Sequence, residues 1–219
     1  MAIRDRRKRS DPLRWPLYMS DVKLEMLLGQ IGGPASQGIA AELKLDFKLV
    51  SLTLTRPGTD RSLRQRSLLA KYDVVSEGIR RRNGVGDLTA TRGFFAGDIE
   101  MDWKPLDDNE TVLFCGYAGK LLVVLGGSVS NVTGLPSSEK QIGSHPHTIR
   151  EAVRGTGEPG HADLGRDLVT AARSVFIIPQ MVSFLARVIS RGPLPEGSAQ
   201  TEYLLGTPIG VVAVDMAGV

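Results

Sequence analysis

The pattern of apolar and polar residues between positions 94 and 134 predicts a three-stranded meander, and its first strand shows a regular alternation of the two. We expect its strands over 93–103, 111–117 and 120–125, the last two joined by a tight turn. In the first strand the apolar residues are Ile99, Met101 and Trp103, and the acidic residues between them are Asp98, Glu100 and Asp102. Period-two alternation puts these two sets on opposite faces, so the sequence predicts a core face and an acidic rim.

A spacing of three and four residues between apolar positions marks the helices. Ser20 stands in an N-cap position before the segment 21–31, whose apolar residues follow this rule, and segment 62–82 carries a similar stripe. Segment 180–190 is apolar around most of its circumference, which predicts a buried helix. Shorter helices are expected over 148–154 and 162–176. We expect the helices at 21–31, 62–82 and 180–190 to pack on the core face of the meander.

The remaining segments complete the predicted fold. Residues 15–19 and 203–214 are expected to be strands, the latter broken or bent at 206–208. Segment 36–55 is ambiguous: residues 36–43 fit a short helix, and the residues after them fit a strand whose apolar phase slips, which indicates a bulge or a strand that turns between two surroundings. The fold class predicted is α+β, with a mostly antiparallel sheet that contains a central meander and is packed by amphipathic helices. Residues 1–14 are expected to be a disordered basic tail, and residues 15–219 a single domain.

Composition narrows the classes of function. The formal net charge of +3 arises in the first ten residues, which hold five basic residues and one acidic residue, so the rest of the chain is nearly neutral. Aromatic residues make up 5% of the chain, which argues against a base-stacking nucleic-acid platform. The tail could give only weak, salt-sensitive contact with nucleic acid.

Cys115 is the single cysteine, so no intrachain disulfide and no cysteine-based metal cluster can form, and a buried strand position is expected for it. The chain shows no signal-peptide pattern and no apolar run long enough to cross a bilayer. These features predict a cytoplasmic protein with no membrane contact.

Two features of the segment 126–161 could indicate a ligand-binding or catalytic site. Residues 155–160 read GTGEPG and match the G-x-G-x-x-G pattern, but the residues before them look helical, whereas a dinucleotide site needs a strand there. The three histidines, His145, His147 and His161, lie close together in the sequence and could bind zinc or act as acid and base. Their loop setting has no helix-based ligand spacing, which favours solvated side chains.

The acidic residues of the first meander strand could attract a divalent cation. Alternate residues on a strand lie about 6.5 to 7 Å apart, so two such carboxylates could share an ion only by leaning together. A solvated rim or a surface for a basic partner is favoured over a metal site. No catalytic residue, cofactor-binding residue or metal ligand is therefore assigned.

Residues 18–31, YMSDVKLEMLLGQI, resemble the start of an uncharacterised family of small bacterial proteins, mostly actinobacterial, that open with a YxSDxKxxMLxxQI-like motif. The stretches IAAEL (39–43), DIEMDW (98–103), LGGS (125–128) and LGTP (205–208) are similar too. The resemblance implies no catalytic residue, and it associates the chain loosely with accessory parts of bacterial conflict or defence systems.

The sequence therefore predicts a non-enzymatic cytoplasmic binding or accessory domain that acts through a protein partner or a small ligand. The alternative, from another class, is a hydrolase or nucleotide-handling enzyme whose site lies in the Gly-rich loops 126–161.

Overall fold

The computed structural model of the chain describes residues 13–31, 61–89, 93–106, 109–135, 146–155, 163–175 and 178–215. The strands in this part are β1 (Arg14–Met19), β2 (Phe94–Pro105), β3 (Thr111–Ala118), β4 (Leu121–Ser128), β5 (Gln180–Pro193) and β6 (Glu202–Val214). The α-helices are α1 (Asp21–Ile31), α2 (Arg61–Asn83), α3 (Pro146–Arg154) and α4 (Leu164–Val175).

The strands close into a five-stranded barrel, because β6 pairs with both β4 and β5. Around the barrel the order is β6, β4, β3, β2, β5 and again β6. The β4–β6 pairing is parallel and the others are antiparallel. β1 lies outside this ring and pairs with the second half of β6. The predicted fold class, an α+β fold with a mostly antiparallel sheet and a helix-packed central meander, is wrong, because the sheet is closed.

The meander strands β2, β3 and β4 are confirmed, with a turn at Gly119, whose φ is +59°. Ile99 and Met101 are buried in the barrel interior, and Trp103 packs against the same cluster. The interior also holds Phe114, which stacks on Trp103 at a centroid distance of 5.9 Å, and Tyr18 meets Phe114 edge-on. The core face is therefore confirmed, but the helices do not pack on it: it faces the centre of the barrel.

Segment 180–190 is strand β5, so the helix predicted there is wrong. Val182, Phe184 and Ala186 point into the barrel, whereas Leu185 packs in a cluster on the outer side. Because both faces of this strand are buried, the apolar residues run together and the alternation of a half-buried strand disappears. A short apolar run of this kind is compatible with either element.

Two helical layers cover the outside of the barrel. Helices α1 and α2 pack around Leu24, Tyr72, Val75 and Ile79 against β1, β5 and β6. Helices α3 and α4 pack against β3, β4 and β6 through a second cluster. The predicted helices 21–31, 62–82, 148–154 and 162–176 are therefore confirmed within a few residues.

The acidic rim is only partly present. Asp98 and Glu100 are exposed, but Asp102 is buried. One Asp102 carboxylate oxygen accepts the backbone N–H of Trp103 and the other accepts that of Ile178, each at 2.7 Å. Asp102 therefore holds the start of the segment that leads into β5, and the prediction that it belongs to a solvated rim is wrong.

Several predicted segments lie wholly or partly outside the described residues. These are residues 1–12 of the predicted basic tail 1–14, the ambiguous segment 36–55 and the loop residues 136–145 and 156–162. Arg14, the last residue of the predicted tail, is instead the first residue of β1. The predicted Gly-rich loops 126–161 begin later than expected, because β4 continues to Ser128 and a 3₁₀ turn follows at Val129–Asn131. The last strand is continuous through 206–208, and its pairing with β5 shifts register beside Pro208.

Candidate functional site

The first turn of α1 meets β6 through Lys23. Its Nζ donates to Thr207 Oγ1 at 2.5 Å and to the carbonyl oxygen of Pro208 at 3.0 Å. The backbone N–H of Ser20 also donates to the carbonyl of Ile209 at 3.0 Å, which fixes the start of the helix over the strand. The structure thus brings together the YMSDVK and LGTP stretches, which are far apart in the sequence.

Lys23 is part-buried, and burial lowers the pKa of its amine from 10.5 to about 8. Desolvation disfavours the charged form, and both acceptors are uncharged. Lys23 also lies in the first turn of the helix, where the positive end of the helix dipole disfavours a cation. Within the described residues, its amine makes no ion pair with a carboxylate.

Lys71 of α2 provides a direct contrast. Its side chain is 4% exposed, and its Nζ contacts Asp21 Oδ1 at 2.7 Å and Glu25 Oε1 at 3.2 Å. Asp21 and Glu25 lie one turn apart on α1, so the two carboxylates reach the same ammonium group. This ion-pair cluster of Asp21, Glu25 and Lys71 holds α1 against α2.

The other side of α1 is apolar and open. Val22 and Met26 lie one turn apart and are 58% and 61% exposed. Gly29 continues the same line one turn further, and a Cβ atom added there would have no neighbour within 4 Å among the described residues. We call Val22, Met26 and Gly29 the outer stripe of α1.

The glycines of the LGGS and LGTP stretches have packing roles. A Cβ atom at Gly127 would lie 2.6 to 2.7 Å from atoms of the Tyr18 ring, and one at Gly206 would lie 2.6 Å from the Phe95 ring. Both rings are fully buried in the barrel. Gly126 is similarly close to Ile149 of α3. The glycines at 126 and 127 therefore belong to the packing of β4 rather than to a flexible catalytic loop.

The alternative enzyme site at 126–161 gains no support from the described residues. His145 and His161 lie outside them, and His147 lies on α3 with its side chain outside the description. The GTGEPG stretch follows helix α3 rather than a strand, which does not fit a dinucleotide site. Its residues after Gly155 are not described.

Two other expectations about chemistry can be compared with the structure. Cys115 is fully buried in β3, and burial raises the pKa of its thiol, so the expected buried position is confirmed. Across the described segments, no group of three or more His, Cys, Asp or Glu side chains is arranged to hold a metal ion.

No helix in the described part of the chain is long and apolar enough to cross a membrane.

One family profile matches residues 14–215, from the first residue of β1 to the residue after β6. The chain belongs to DUF7019, a family of unknown function. The expected membership of an uncharacterised family is therefore confirmed. No curated protein and no solved structure shows significant similarity to the chain.

Sequence reasoning missed the Lys23 contact with β6. Lys23 lies in the stretch 18–31 that resembles the family motif, but a charged residue in an amphipathic helix is usually solvated. The one available signal was its place in the first turn of α1, where a cation is unfavourable. The contact itself joins residues 184 positions apart, and only the folded barrel shows it.

Proposed function

We propose that the chain is a protein-binding accessory domain and that the outer stripe of α1 contacts its partner. The observation that carries this proposal is the exposure of Val22 and Met26 on a helix whose other face is packed against the barrel and α2. Two large apolar side chains one turn apart are the anchors of helix-in-groove recognition. The partner proposed is a protein with an apolar groove.

Gly29 supports the same surface. Glycine in a helix costs about 1 kcal/mol relative to alanine, and at this position no described neighbour requires the missing side chain. On the outer stripe, glycine lets a second protein approach the helix backbone closely. Met26 adds a flexible, polarizable side chain that adapts to an irregular groove.

The test is a comparison of binding by the wild-type chain and by Met26→Lys. Both are used as tagged baits in cells of the native host, and the captured proteins are quantified by mass spectrometry. We expect at least one protein that the wild type captures in near-stoichiometric amount and that Met26→Lys captures at least tenfold less. The complex should then form from the two purified proteins with the same dependence on Met26.

Ala199→Lys is the matched control, because Ala199 is exposed on the connection between β5 and β6 and the change adds the same charge. It should bind like the wild type. The proposal is contradicted if both variants capture equally less of the partner protein, or if neither captures less than the wild type. A second contradiction would be a melting temperature of Met26→Lys several degrees below that of Ala199→Lys, since the stripe would then be covered within the chain itself.

We also propose a bacterial cytoplasmic location. The resemblance to small actinobacterial proteins supports it, as does a single cysteine that is buried and has no partner for a disulfide. Fractionation of the native host with an antibody to the chain tests this location: recovery in the cell envelope or in the medium contradicts it.

A further inference from the structure

Trp15 is exposed at the start of β1, whereas the other tryptophan of the chain, Trp103, packs against the barrel interior. The Trp15 side chain is 59% exposed, and that of Leu13 is 63% exposed. Because side chains alternate along an extended chain, Leu13 and Trp15 share one face. The residue opposite Trp15 on β6 is Ala213, whose methyl group is too small to cover the indole ring. The ring is therefore open to a ligand.

The backbone on both sides of this ring is fixed. The carbonyl oxygen of Leu13 accepts the backbone N–H of Asp215 at 3.1 Å, and Trp15 pairs with Ala213. Between them, Arg14 Nη1 donates to the two carboxylate oxygens of Asp73 on α2, at 2.9 and 3.1 Å. A ring attached to an ordered strand loses less entropy when a flat group stacks on it.

Basic residues are concentrated immediately before this ring. Residues 1–15 hold six basic and two acidic residues, five of the six basic ones being arginine, whereas the rest of the chain has a slight net negative charge. Guanidinium groups bind phosphate through paired hydrogen bonds, and they also stack on bases. A polyanion that carries flat apolar groups matches both the charge and the exposed ring.

We propose that Trp15 is a stacking site for one base of a single-stranded nucleic acid and that the basic residues of segment 4–9 bind the neighbouring phosphates. A single strand is required, because a duplex keeps its bases stacked on one another. The phosphate contacts are assigned to segment 4–9 because Asp215 lies beside Leu13, and Asp73 already holds Arg14. One ring serves one base, so the low aromatic content of the chain is sufficient.

An anionic membrane would attract the same charges, but it fits this surface less well. Membrane binding at an interface grows with the apolar area that is inserted, and at this end of the described chain only Leu13 and Trp15 are available for insertion. The preference for arginine over lysine also favours phosphate groups that lie beside bases. The site is separate from the outer stripe of α1.

The test measures binding of the purified full-length chain to a fluorescein-labelled single strand of about 15 thymidines by fluorescence anisotropy at about 50 mM salt. We expect Trp15→Ala to bind about tenfold more weakly, and Trp15→Tyr to retain most of the affinity because its ring still stacks. Tyr117→Ala is the matched control, since Tyr117 is a strand residue that is 40% exposed and has no basic segment before it. It should bind like the wild type.

A direct readout of stacking does not depend on removing the ring. In Trp103→Phe, Trp15 is the remaining tryptophan, and the thymidine strand should quench its fluorescence as it binds. Replacing the four basic residues of segment 6–9 by glutamine should make the slope of log affinity against log salt shallower by about 3. A duplex of the same length should bind without dependence on Trp15.

The proposal is overturned if the thymidine strand does not bind, or if it binds wild type and Trp15→Ala equally without quenching Trp15. The first result together with Trp15-dependent binding to vesicles that contain phosphatidylglycerol would assign the surface to membranes instead. Circular dichroism spectra and melting temperatures of the variants show whether a loss of binding reflects a loss of fold. If Trp15→Ala is unfolded, the quenching of Trp15 in Trp103→Phe decides between the two results.

Discussion

At the scale of single residues, Lys23 makes stability depend on pH in an unusual direction. Its pKa in the folded chain is about 8, below the ordinary 10.5 that it regains on unfolding. Between these values the unfolded chain binds more protons than the folded chain, so stability increases with pH. The cost of the buried charge is fully present below pH 8 and disappears as pH rises toward 10.5.

This leads to a prediction for Lys23→Met, which keeps the apolar stem and removes the titrating group. We expect the stability of the wild type relative to Lys23→Met to rise by about 1 to 2 kcal/mol between pH 7 and pH 10. The whole pKa difference between the folded and unfolded chain would correspond to a larger change in stability, but the side chain is only part-buried and solvent screens its charge. Urea denaturation of both proteins at each pH measures the difference. A flat or falling difference contradicts the prediction.

A second prediction at this scale concerns Gly127. Its α-hydrogen faces the buried ring of Tyr18, whose hydroxyl accepts a hydrogen bond from Asn131 Nδ2 at 3.1 Å. In Gly127→Ala the new methyl group overlaps the ring, and the packed interior gives the ring little room to move. We expect a loss of about 1 to 3 kcal/mol in the free energy of unfolding, measured by urea denaturation.

Gly29→Ala is the control for this experiment. The added methyl group meets no described neighbour, and alanine favours the helix, so we expect a gain of about 0.5 to 1 kcal/mol. If both variants lose the same stability, close packing against Tyr18 is not the reason for glycine at position 127.

At the scale of elements, the ion-pair cluster of Asp21, Glu25 and Lys71 decides how α1 docks on α2. Removing both carboxylates, in Asp21→Asn combined with Glu25→Gln, leaves the Lys71 ammonium buried without them. We expect this double variant to lose about 2 kcal/mol, since a buried ammonium group that loses two carboxylate partners is destabilising and the carboxylates are partly exposed.

Adding Lys71→Met to the double variant tests whether the charges act as a unit. The triple variant should recover at least half of the lost stability, because no buried cation remains. If the effects of the substitutions on stability simply add, so that the triple variant is less stable than the double variant, the three charges do not act as a unit. Thermal melts followed by circular dichroism at 222 nm are sufficient to distinguish the two results.

The half-buried strand β2 shows its two faces in the sequence, whereas β5, which carries apolar residues on both faces, shows no such alternation. In β2 the interior residues Ile99 and Met101 alternate with exposed Asp98 and Glu100, so the pattern is visible. In β5 Phe184 faces the interior while Leu185 faces α1 and α2, so the pattern is erased. The contact of Lys23 with β6 was harder still to predict from the sequence, because it joins the first helix to the last strand.

At the scale of the whole molecule, closure of the barrel joins distant parts of the chain. β6 pairs with β1, β4 and β5, and none of these pairings leaves a local mark in the sequence. A sequence pattern reports which face of a strand is buried, but it does not report which strand lies beside it. The closed topology therefore could not be derived from periodicity alone.

The predicted single domain, residues 15–219, has a direct test in unfolding. Because β1 through β6 share one sheet, we expect urea denaturation to show a single transition. In a Trp15→Phe variant, Trp103 is the remaining tryptophan and reports on the barrel interior, while circular dichroism at 222 nm reports mainly on the helices. The two curves should coincide. Separated midpoints would mean that the helices and the barrel unfold independently.

The place of β6 also bears on how the protein is made. Residues 202–214 leave the ribosome after all the other strands, yet they supply a neighbour to three of them. Until they emerge, β4 and β5 each present an unpaired edge, and such edges are templates for pairing with other chains. During synthesis the barrel therefore cannot close until β6 has left the ribosome, and the edges of β4 and β5 lack their native neighbour until then.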